Sequence, residues 1–263
     1  MNMRRKLIVA NWKMYGNLHE NAALLNAVKP VLSSLNNADY VICAPHPYHQ
    51  QTKDLLQGSN IAWGAQNVSR FAEGAYTGSV SANMLKDFGC THAIIGHSER
   101  RALVYEDNIT AASSFGAVIN AGITPIFCVG ETGQERTAGK AEAVIDSQLR
   151  AILETLGEDV FYRAVKLRAV ISYEPVWAIG TGVAASPSQA QEMHMMIRNI
   201  IAERDIEVAK RVRILYGGSV NPQNALQLLV MPDIDGALVG RCALKAEEFI
   251  AICQVGHAVK DDI

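Results

Sequence analysis

Short apolar segments recur along the chain, and longer segments that mix apolar and polar residues separate them. Eight apolar segments stand out, at 7–10, 40–44, 61–63, 93–95, 125–129, 169–171, 212–216 and 237–239. Their apolar residues are continuous rather than alternating, which is typical of strands that are buried on both faces, although a short apolar run can also belong to a buried helix. The pattern favours eight strands of a parallel sheet.

The segments between these runs carry the signals of helix ends. Ser186 and Pro187 give the clearest helix start, since serine is a good N-cap and proline suits the first helical position, and Gln189 completes a capping box. Further helices are predicted by a cap at Asn17, by the composition of 106–120 and 139–156 with stops at Gly122 and Gly157, and by Asn221-Pro222 before 223–230. Strand and helix therefore alternate throughout the chain.

This alternation predicts the fold class. The 263 residues give about 33 residues for each of eight strand-helix units, which suits an α/β protein with the (β/α)8 TIM barrel fold. No linker or low-complexity segment interrupts the series, so residues 1–263 are predicted to form a single domain. An open doubly wound sheet would be favoured by a glycine fingerprint after the first strand, but Asn11-Trp12-Lys13 stands there instead.

Composition narrows the class of protein. Apolar residues make up 49% of the chain and the formal net charge is -2, so no overall basic field is present to attract nucleic acid or an acidic membrane. The five cysteines are odd in number and include no Cys-x-x-Cys pair, which argues against a disulfide framework or a thiolate zinc site. The first apolar run is too short for a signal peptide and no run approaches the length of a membrane span. We therefore expect a cytoplasmic protein.

Polar or glycine-rich residues follow almost every predicted strand. In a parallel barrel the carboxyl ends of the strands share one rim, and the chemistry of such folds belongs there. Glu174 ends the sixth strand, and Pro175 biases it toward extended backbone, so a rigid element aims its carboxylate. The residues after it are typical of a lid with hinges at 175–177 and near Gly182. The other strand ends carry Asn11, Lys13, Gln66, Asn67, His97, Glu99, Glu131, 217–219, Gly240 and Arg241.

Four of these segments together resemble one family. They are 11–13 (Asn-Trp-Lys), 95–101 (Ile-Gly-His-Ser-Glu-Arg-Arg), 173–182 (Tyr-Glu-Pro-Val-Trp-Ala-Ile-Gly-Thr-Gly) and 216–220 (Tyr-Gly-Gly-Ser-Val), in that order along the chain. The sequence resembles the triose-phosphate isomerase family from about Leu7 to Val255. The resemblance implies interconversion of dihydroxyacetone phosphate and D-glyceraldehyde 3-phosphate, with no metal and no organic cofactor.

The resemblance also implies the catalytic residues. Moving a proton between neighbouring carbons requires a base that can reach both, and this role falls to Glu174. His97 is implied to donate to the carbonyl oxygen, and the family is itself the standard example of a neutral histidine in that role. Lys13 is implied to supply a positive charge for the enediolate and the phosphate, Asn11 to orient substrate or Lys13, and Glu99 to support this network.

The phosphate site follows from the same resemblance. Gly180, Ser219, Gly240 and Arg241 are the implied contacts, and Arg241 stands where the family commonly has a second glycine. We expect Gly217 and Gly218 to adopt positive φ values that turn amides toward the anion, and we expect a helix to begin directly after Ser219. Lid closure would exclude water and keep the enediolate from losing phosphate.

A homodimer is implied as well. The segment 74–78 resembles the loop with which one subunit of the family docks beside the active site of the other. Tyr15 and Tyr105 stand where the family often has Asn and Gly, and Tyr15 is expected near the subunit contact.

Two other classes remain possible on the residues alone. A barrel aldolase would act through a Schiff base and would need a lysine inside a central strand, whereas the sixth strand ends in Glu174. A non-catalytic barrel could merely bind phosphate or a protein.

At about 4.8 Å for each strand step, the ends of the fourth and sixth strands are expected to be roughly 9–10 Å apart, which leaves room for a three-carbon substrate.

Overall fold

Eight strands pair in parallel with their neighbours in the sequence and close into a barrel. The computed structural model describes residues 4–157, 159–160, 163–164, 167–179 and 185–259. The barrel is closed by the pairing of the first and last strands, in which Leu7 is opposite Gly236 and Val9 is opposite Leu238. The strands are β1 Leu7–Asn11, β2 Asp39–Cys43, β3 Ile61–Ala65, β4 His92–Ile95, β5 Thr124–Val129, β6 Val170–Tyr173, β7 Arg213–Tyr216 and β8 Gly236–Val239. All eight predicted strands and the (β/α)8 fold are confirmed.

Helices connect the strands. In the described part of the chain they are α1 Leu18–Ser34, α2 His49–Leu56, α3 Ala82–Asp87, α4 Ser98–Leu103, α5 Asn108–Asn120, α6 Gly133–Thr137, α7 Ala141–Leu156, α8 Pro187–Ala202, α9 Ile206–Arg211, α10 Ala225–Leu229 and α11 Ala246–Ala258. Short 3-10 helices cover His46–Tyr48, Val176–Ala178 and Arg241–Leu244. Asn17 caps α1 and Ser186 forms the predicted capping box with Gln189 at the start of α8. No helix among the described residues is both long and apolar enough to cross a lipid bilayer.

The side chains of the strands contribute to two separate apolar cores, one inside the barrel and one between the barrel and the helices. In β1, Leu7 and Val9 face the barrel interior, while Ile8 and Ala10 pack against the surrounding helices. Successive side chains of a strand point to opposite faces, so a strand with both faces buried must be apolar at every position. This double burial explains the continuous apolar runs of the sequence.

One predicted helix start is wrong. Asn221 was expected to cap a helix over 223–230, but α10 begins at Ala225 after Asn224. The Asn221 side chain instead accepts hydrogen bonds from the backbone N–H groups of Gln223 and Asn224, both at 3.0 Å. Asparagine stabilises such local turns as readily as it caps helices, so Asn-Pro marks a turn here.

Ion pairs gather at the amino-terminal end of the barrel, away from the predicted site. Arg198 on α8 reaches Asp233 at 2.6 Å and the almost fully buried Asp235 at 2.7 Å. Arg213, the first residue of β7, pairs with Asp39, the first residue of β2, at 2.7 Å. These charges hold the helices to this end of the barrel, which leaves the opposite rim for the polar side chains of the strand ends.

Candidate active site

Glu174 lies directly after β6 and is held by backbone on both sides. Its N–H donates to the carbonyl of Val129 at 2.7 Å, so the parallel ladder continues one residue beyond the strand, as the sequence predicted. The side chain is 1% exposed. One carboxylate oxygen, Oε2, accepts a hydrogen bond from the backbone N–H of Ser98 at 2.8 Å. The other, Oε1, lies 3.3 Å from Nε2 of His97 without forming a hydrogen bond.

His97 is the N-cap of α4. Its Nδ1 accepts a hydrogen bond from the backbone N–H of Glu99 at 3.2 Å. A nitrogen that accepts a hydrogen bond carries no proton, so the imidazole is neutral and its proton is on Nε2. That N–H is the group beside Glu174, where a substrate oxygen could accept from it.

Both the backbone and the side chain of Lys13 are held by neighbouring residues. Its backbone has φ 53, a left-handed conformation that costs a non-glycine residue about 1 kcal/mol. Its N–H donates to Oδ1 of Asn11 at 3.0 Å, and its ammonium group forms an ion pair with Glu99. Asn11 thus stabilises the turn that aims Lys13, while Glu99 holds the end of the side chain.

A cavity of about 350 Å³ opens beside these groups. His97 lies in its wall and contacts the buried Glu174 behind it, so the carboxylate is one side chain away from the opening. The predicted gap between the two strand ends is filled by the two side chains themselves, which are in contact. The lining residues are Asn11, Lys13, Met14, Pro45, His46, Pro47, Gln66, Asn67, His97, Glu99 and Arg100.

The two glycines after β7 do not act as predicted. Neither Gly217 nor Gly218 has a positive φ. A Cβ on Gly217 would lie 2.8 Å from Cγ of Glu174 and 2.8 Å from Oγ of Ser172, and one on Gly218 would lie 2.3 Å from the Tyr216 hydroxyl oxygen. These positions require glycine because the neighbouring side chains leave no space, and Gly217 in particular keeps room for the stem of Glu174.

The predicted phosphate contacts are only partly brought together. Gly240 lies beside Lys13. A Cβ added to this glycine would be 3.3 Å from Cε of the lysine. Ser219 follows β7, but no helix begins after it, since α10 starts at Ala225, so the predicted helix N-terminus is absent there. Arg241 is exposed, opens a 3-10 helix and has no positive φ, so an arginine fits a position that is often glycine. Gly180 lies outside the described residues.

A second carboxylate anchors the segment after Glu174. Glu131 is 0% exposed and accepts hydrogen bonds from the Tyr173 hydroxyl at 3.1 Å, from Nε1 of Trp177 at 3.0 Å and from Arg136 at 3.1 Å. Burial, and then the Glu131 charge, raise the pKa of Tyr173, so the phenol remains a donor. The predicted first hinge at 175–177 is therefore tied to the end of β5; the second, near Gly182, lies outside the described residues.

Cys128 lies within the barrel next to Glu174. Burial raises the pKa of this thiol well above its ordinary value, and the Glu174 carboxylate raises it further. A protonated, fully buried thiol is a packing residue rather than a nucleophile.

Sequence reasoning missed two contributors. Among the described residues, the N–H of Ser98 is the backbone donor to the Glu174 carboxylate, and only its position at a helix start hinted at this. His46 lies in the cavity wall, with Nε2 3.1 Å from the carbonyl oxygen of Asn67. It follows the second strand, the only strand end from which no candidate was taken, so completing that series would have found it.

Within the described ranges, no three His, Cys, Asp or Glu side chains come together in a way that could hold a metal ion.

Comparison with known proteins agrees on one family. The sequence model of the family Triosephosphate isomerase matches residues 6–256. The chain is 51% identical over 255 residues to the triosephosphate isomerase of Dechloromonas aromatica (strain RCB), covering 97% of this chain and 100% of that protein. It is 51% identical over 252 residues to that of Thiobacillus denitrificans, with 96% and 98% covered. Against that of Cupriavidus necator the identity is 49% over 250 residues, with 95% and 99% covered.

Proposed function

The chain belongs to the triosephosphate isomerase family, and from this premise we propose that it interconverts dihydroxyacetone phosphate and D-glyceraldehyde 3-phosphate through an enediolate. This reaction would serve glycolysis and gluconeogenesis. The observation that carries the proposal is the contact of a buried carboxylate, Glu174, with a neutral imidazole, His97, behind a cavity lined by the ammonium group of Lys13.

Each of these groups has a step to perform. Glu174 removes a proton from the carbon next to the carbonyl and returns it to the neighbouring carbon. The electron pair of the broken C–H bond forms the carbon–carbon double bond of the enediolate, and the π pair of the carbonyl moves to its oxygen, where the Nε2–H of His97 and the charge of Lys13 stabilise it. The proton of the neighbouring hydroxyl passes to that oxygen, so the neighbouring carbon becomes the new carbonyl. Only protons and internal electron pairs move, so the reaction balances without oxidant, metal or cofactor.

The phosphate is proposed to bind at the same rim. Gly180, Ser219, Gly240 and Arg241 would supply backbone N–H groups, and Lys13 would supply a positive charge. The contact of Gly240 with Lys13 supports this, because a phosphate held there lies within reach of both. Arg241 adds a second cation at this edge.

A glutamate substitution tests the base. Glu174→Gln keeps the volume of the side chain but removes the proton acceptor, so turnover should fall by around 10² or more while the far-UV CD stays unchanged. The assay couples glyceraldehyde 3-phosphate isomerisation to reduction of dihydroxyacetone phosphate by a second enzyme. Glu142→Gln, an exposed glutamate on α7, is the matched control and should keep full activity. Near-normal turnover in Glu174→Gln would refute the assignment.

We further propose a homodimer. Apolar side chains are strongly exposed beside the site, with Met14 at 94%, Leu103 at 74% and Tyr105 at 88%. The ion pair between Lys13 and Glu99 joins the two segments that carry these side chains, and Met14 itself lines the cavity, so the exposed apolar groups lie on the same side of the barrel. Such patches mark interaction surfaces, and burying each side chain would contribute about 1.5–3 kcal/mol. Sedimentation that shows a fully active monomer at assay concentrations would refute this.

The remaining proposals concern cellular context and domain organisation. All five cysteines are free, which supports a reducing, cytoplasmic compartment. The barrel supports one domain for the whole chain. Limited proteolysis that releases a stable folded fragment would contradict the second proposal.

A further inference from the structure

A second cavity, of about 470 Å³, lies at the opposite end of the barrel from the candidate active site. Its lining includes Asp39 and Arg213, the first residues of β2 and β7, and Arg4 and Arg5, which precede β1. The candidate active site lies at the carboxyl ends of the strands. The two cavities are therefore separate, and we name this one the basal cavity.

The inner walls of the basal cavity are apolar. They come from β6 and from helices α5, α7, α8 and α9, and each of these side chains remains 3–9% exposed, whereas the barrel interior at Leu7 and Val9 is 0% exposed. The volume lies in the range of small-molecule sites, which are mostly apolar with a few polar groups that fix orientation. The apolar wall residues are Phe115, Leu149, Ile152, Ile171, Ile201 and Val208.

The rim of the cavity carries an excess of positive charge. Among the described residues that line it, seven are arginines and two are aspartates, whereas the whole chain has a formal charge of -2. Asp39 pairs with Arg213 at 2.7 Å and with Arg5 at 3.3 Å, and Asp146 pairs with Arg150. The two aspartates of the lining are thus paired with three of its seven arginines.

Two rim arginines have no counter-charge. Within the described ranges, the side chains of Arg168 and Arg204 form no hydrogen bond and no ion pair, and both residues are exposed. Arg168 also has φ 54, a left-handed conformation that is unfavourable for a non-glycine residue, and its charge is close enough to act unfavourably on Arg213. A cation that is held in a strained conformation beside another cation, at the edge of an apolar cavity, would be stabilised by an anion.

We propose that the basal cavity binds a small amphipathic anion, with an aromatic or aliphatic body against the apolar walls and one phosphate, carboxylate or sulfonate held by Arg168 and Arg204. The planar guanidinium groups suit such oxyanions, because they can donate two parallel hydrogen bonds to each. The apolar body supplies affinity through burial, and the arginines select the charge.

The test uses 8-anilinonaphthalene-1-sulfonate, a fluorescent probe that has both parts, on the full chain. We expect saturable binding with one probe for each chain. Arg168→Asn/Arg204→Gln should weaken it by about tenfold or more, since charged hydrogen bonds are lost. Asparagine tolerates a positive φ, and Arg204 is exposed in the turn after α8, so the variant should keep its far-UV CD. Arg168→Lys/Arg204→Lys, which retains both charges, should bind more tightly than this variant.

Matched controls separate the two halves of the proposal. N-phenyl-1-naphthylamine has the same rings without the sulfonate, and it should bind at least about tenfold more weakly and be insensitive to the arginine substitutions. Lys86→Ala/Lys245→Ala removes two cations elsewhere and should leave probe binding within twofold. Saturating dihydroxyacetone phosphate should not displace the probe.

Four results would overturn the proposal. They are the lack of saturable binding, equal affinity for the wild type and the asparagine-glutamine variant, equal affinity for the uncharged probe, and displacement by dihydroxyacetone phosphate. The last would assign the probe to the candidate active site.

Discussion

Two fully buried histidines make the stability of this protein sensitive to acid. His194 on α8 is 0% exposed, its Nδ1–H donates to the carbonyl of Asp233 at 3.1 Å, and burial lowers its pKa to about 3. His49 at the start of α2 is 2% exposed, its Nε2–H donates to the carbonyl of Ala44 at 3.0 Å, and burial lowers its pKa to about 4. Both rings are neutral in the folded protein at physiological pH.

The sign of the effect follows from linkage. An unfolded histidine has a pKa of about 6.5, so below that pH the unfolded chain binds protons that the folded chain does not. The stabilisation from the two neutral rings is therefore complete above pH 6.5 and is lost as the pH falls toward 4. Each ring lowers the free energy of unfolding by about 1.4 kcal/mol for each pH unit in that window, or about 2 kcal/mol between pH 8 and pH 5. Together they should cost on the order of 4 kcal/mol.

Urea unfolding from pH 8 to pH 4.5, at one protomer concentration, measures this slope. His194→Gln keeps a donor for the Asp233 carbonyl but cannot be protonated, so it should remove about half of the loss assigned to the two rings. His19→Gln, at an exposed histidine, controls for the substitution itself. If His194→Gln and the wild type lose stability with the same slope, the reasoning is refuted.

Three further predictions use the same geometry. Gly217→Ala places a Cβ 2.8 Å from Cγ of Glu174, so kcat should fall at least about tenfold with the CD spectrum retained, in the coupled assay. Arg198→Met leaves the buried Asp235 without one of its two arginines, so urea unfolding should show a loss of about 3 kcal/mol or more. Ser186→Ala removes the capping box of α8 and should cost about 1 kcal/mol in the same measurement.

The fold could be predicted from the sequence because burial on both faces of a strand leaves a direct trace. Every strand from Leu7 to Val239 contains an apolar run, and the pattern needs no tertiary information to be recognised. The prediction of a helix start at Asn221 is wrong because an Asn-Pro pair can either form a turn or cap a helix, and only the surrounding packing decides between the two. The sequence does not contain that packing.

The candidate site was predictable in membership but not in geometry. Asn11, Lys13, His97, Glu99 and Glu174 all follow strands that share one rim, so their proximity follows from topology. The left-handed turn at Lys13 and the space that Gly217 leaves for Glu174 depend on distances of a few ångströms between side chains that are remote in sequence. The sequence suggests that Gly217 is needed for a positive φ, whereas the structure shows that it is needed because neighbouring side chains leave no space for a Cβ.

The resting position of Glu174 explains how a carboxylate that is 1% exposed can serve a small substrate. Among the described residues, Oε2 accepts a hydrogen bond from the N–H of Ser98, while Oε1 has no hydrogen-bond partner and lies 3.3 Å from Nε2 of His97. Moving the carboxylate off this position therefore breaks one charged hydrogen bond, about 1.5–3 kcal/mol. A bound phosphate can supply that energy through contacts remote from the reacting carbons. Under the proposed mechanism, the same movement would open the imidazole N–H to the substrate oxygen, so one displacement would prepare both the proposed base and the proposed electrophile.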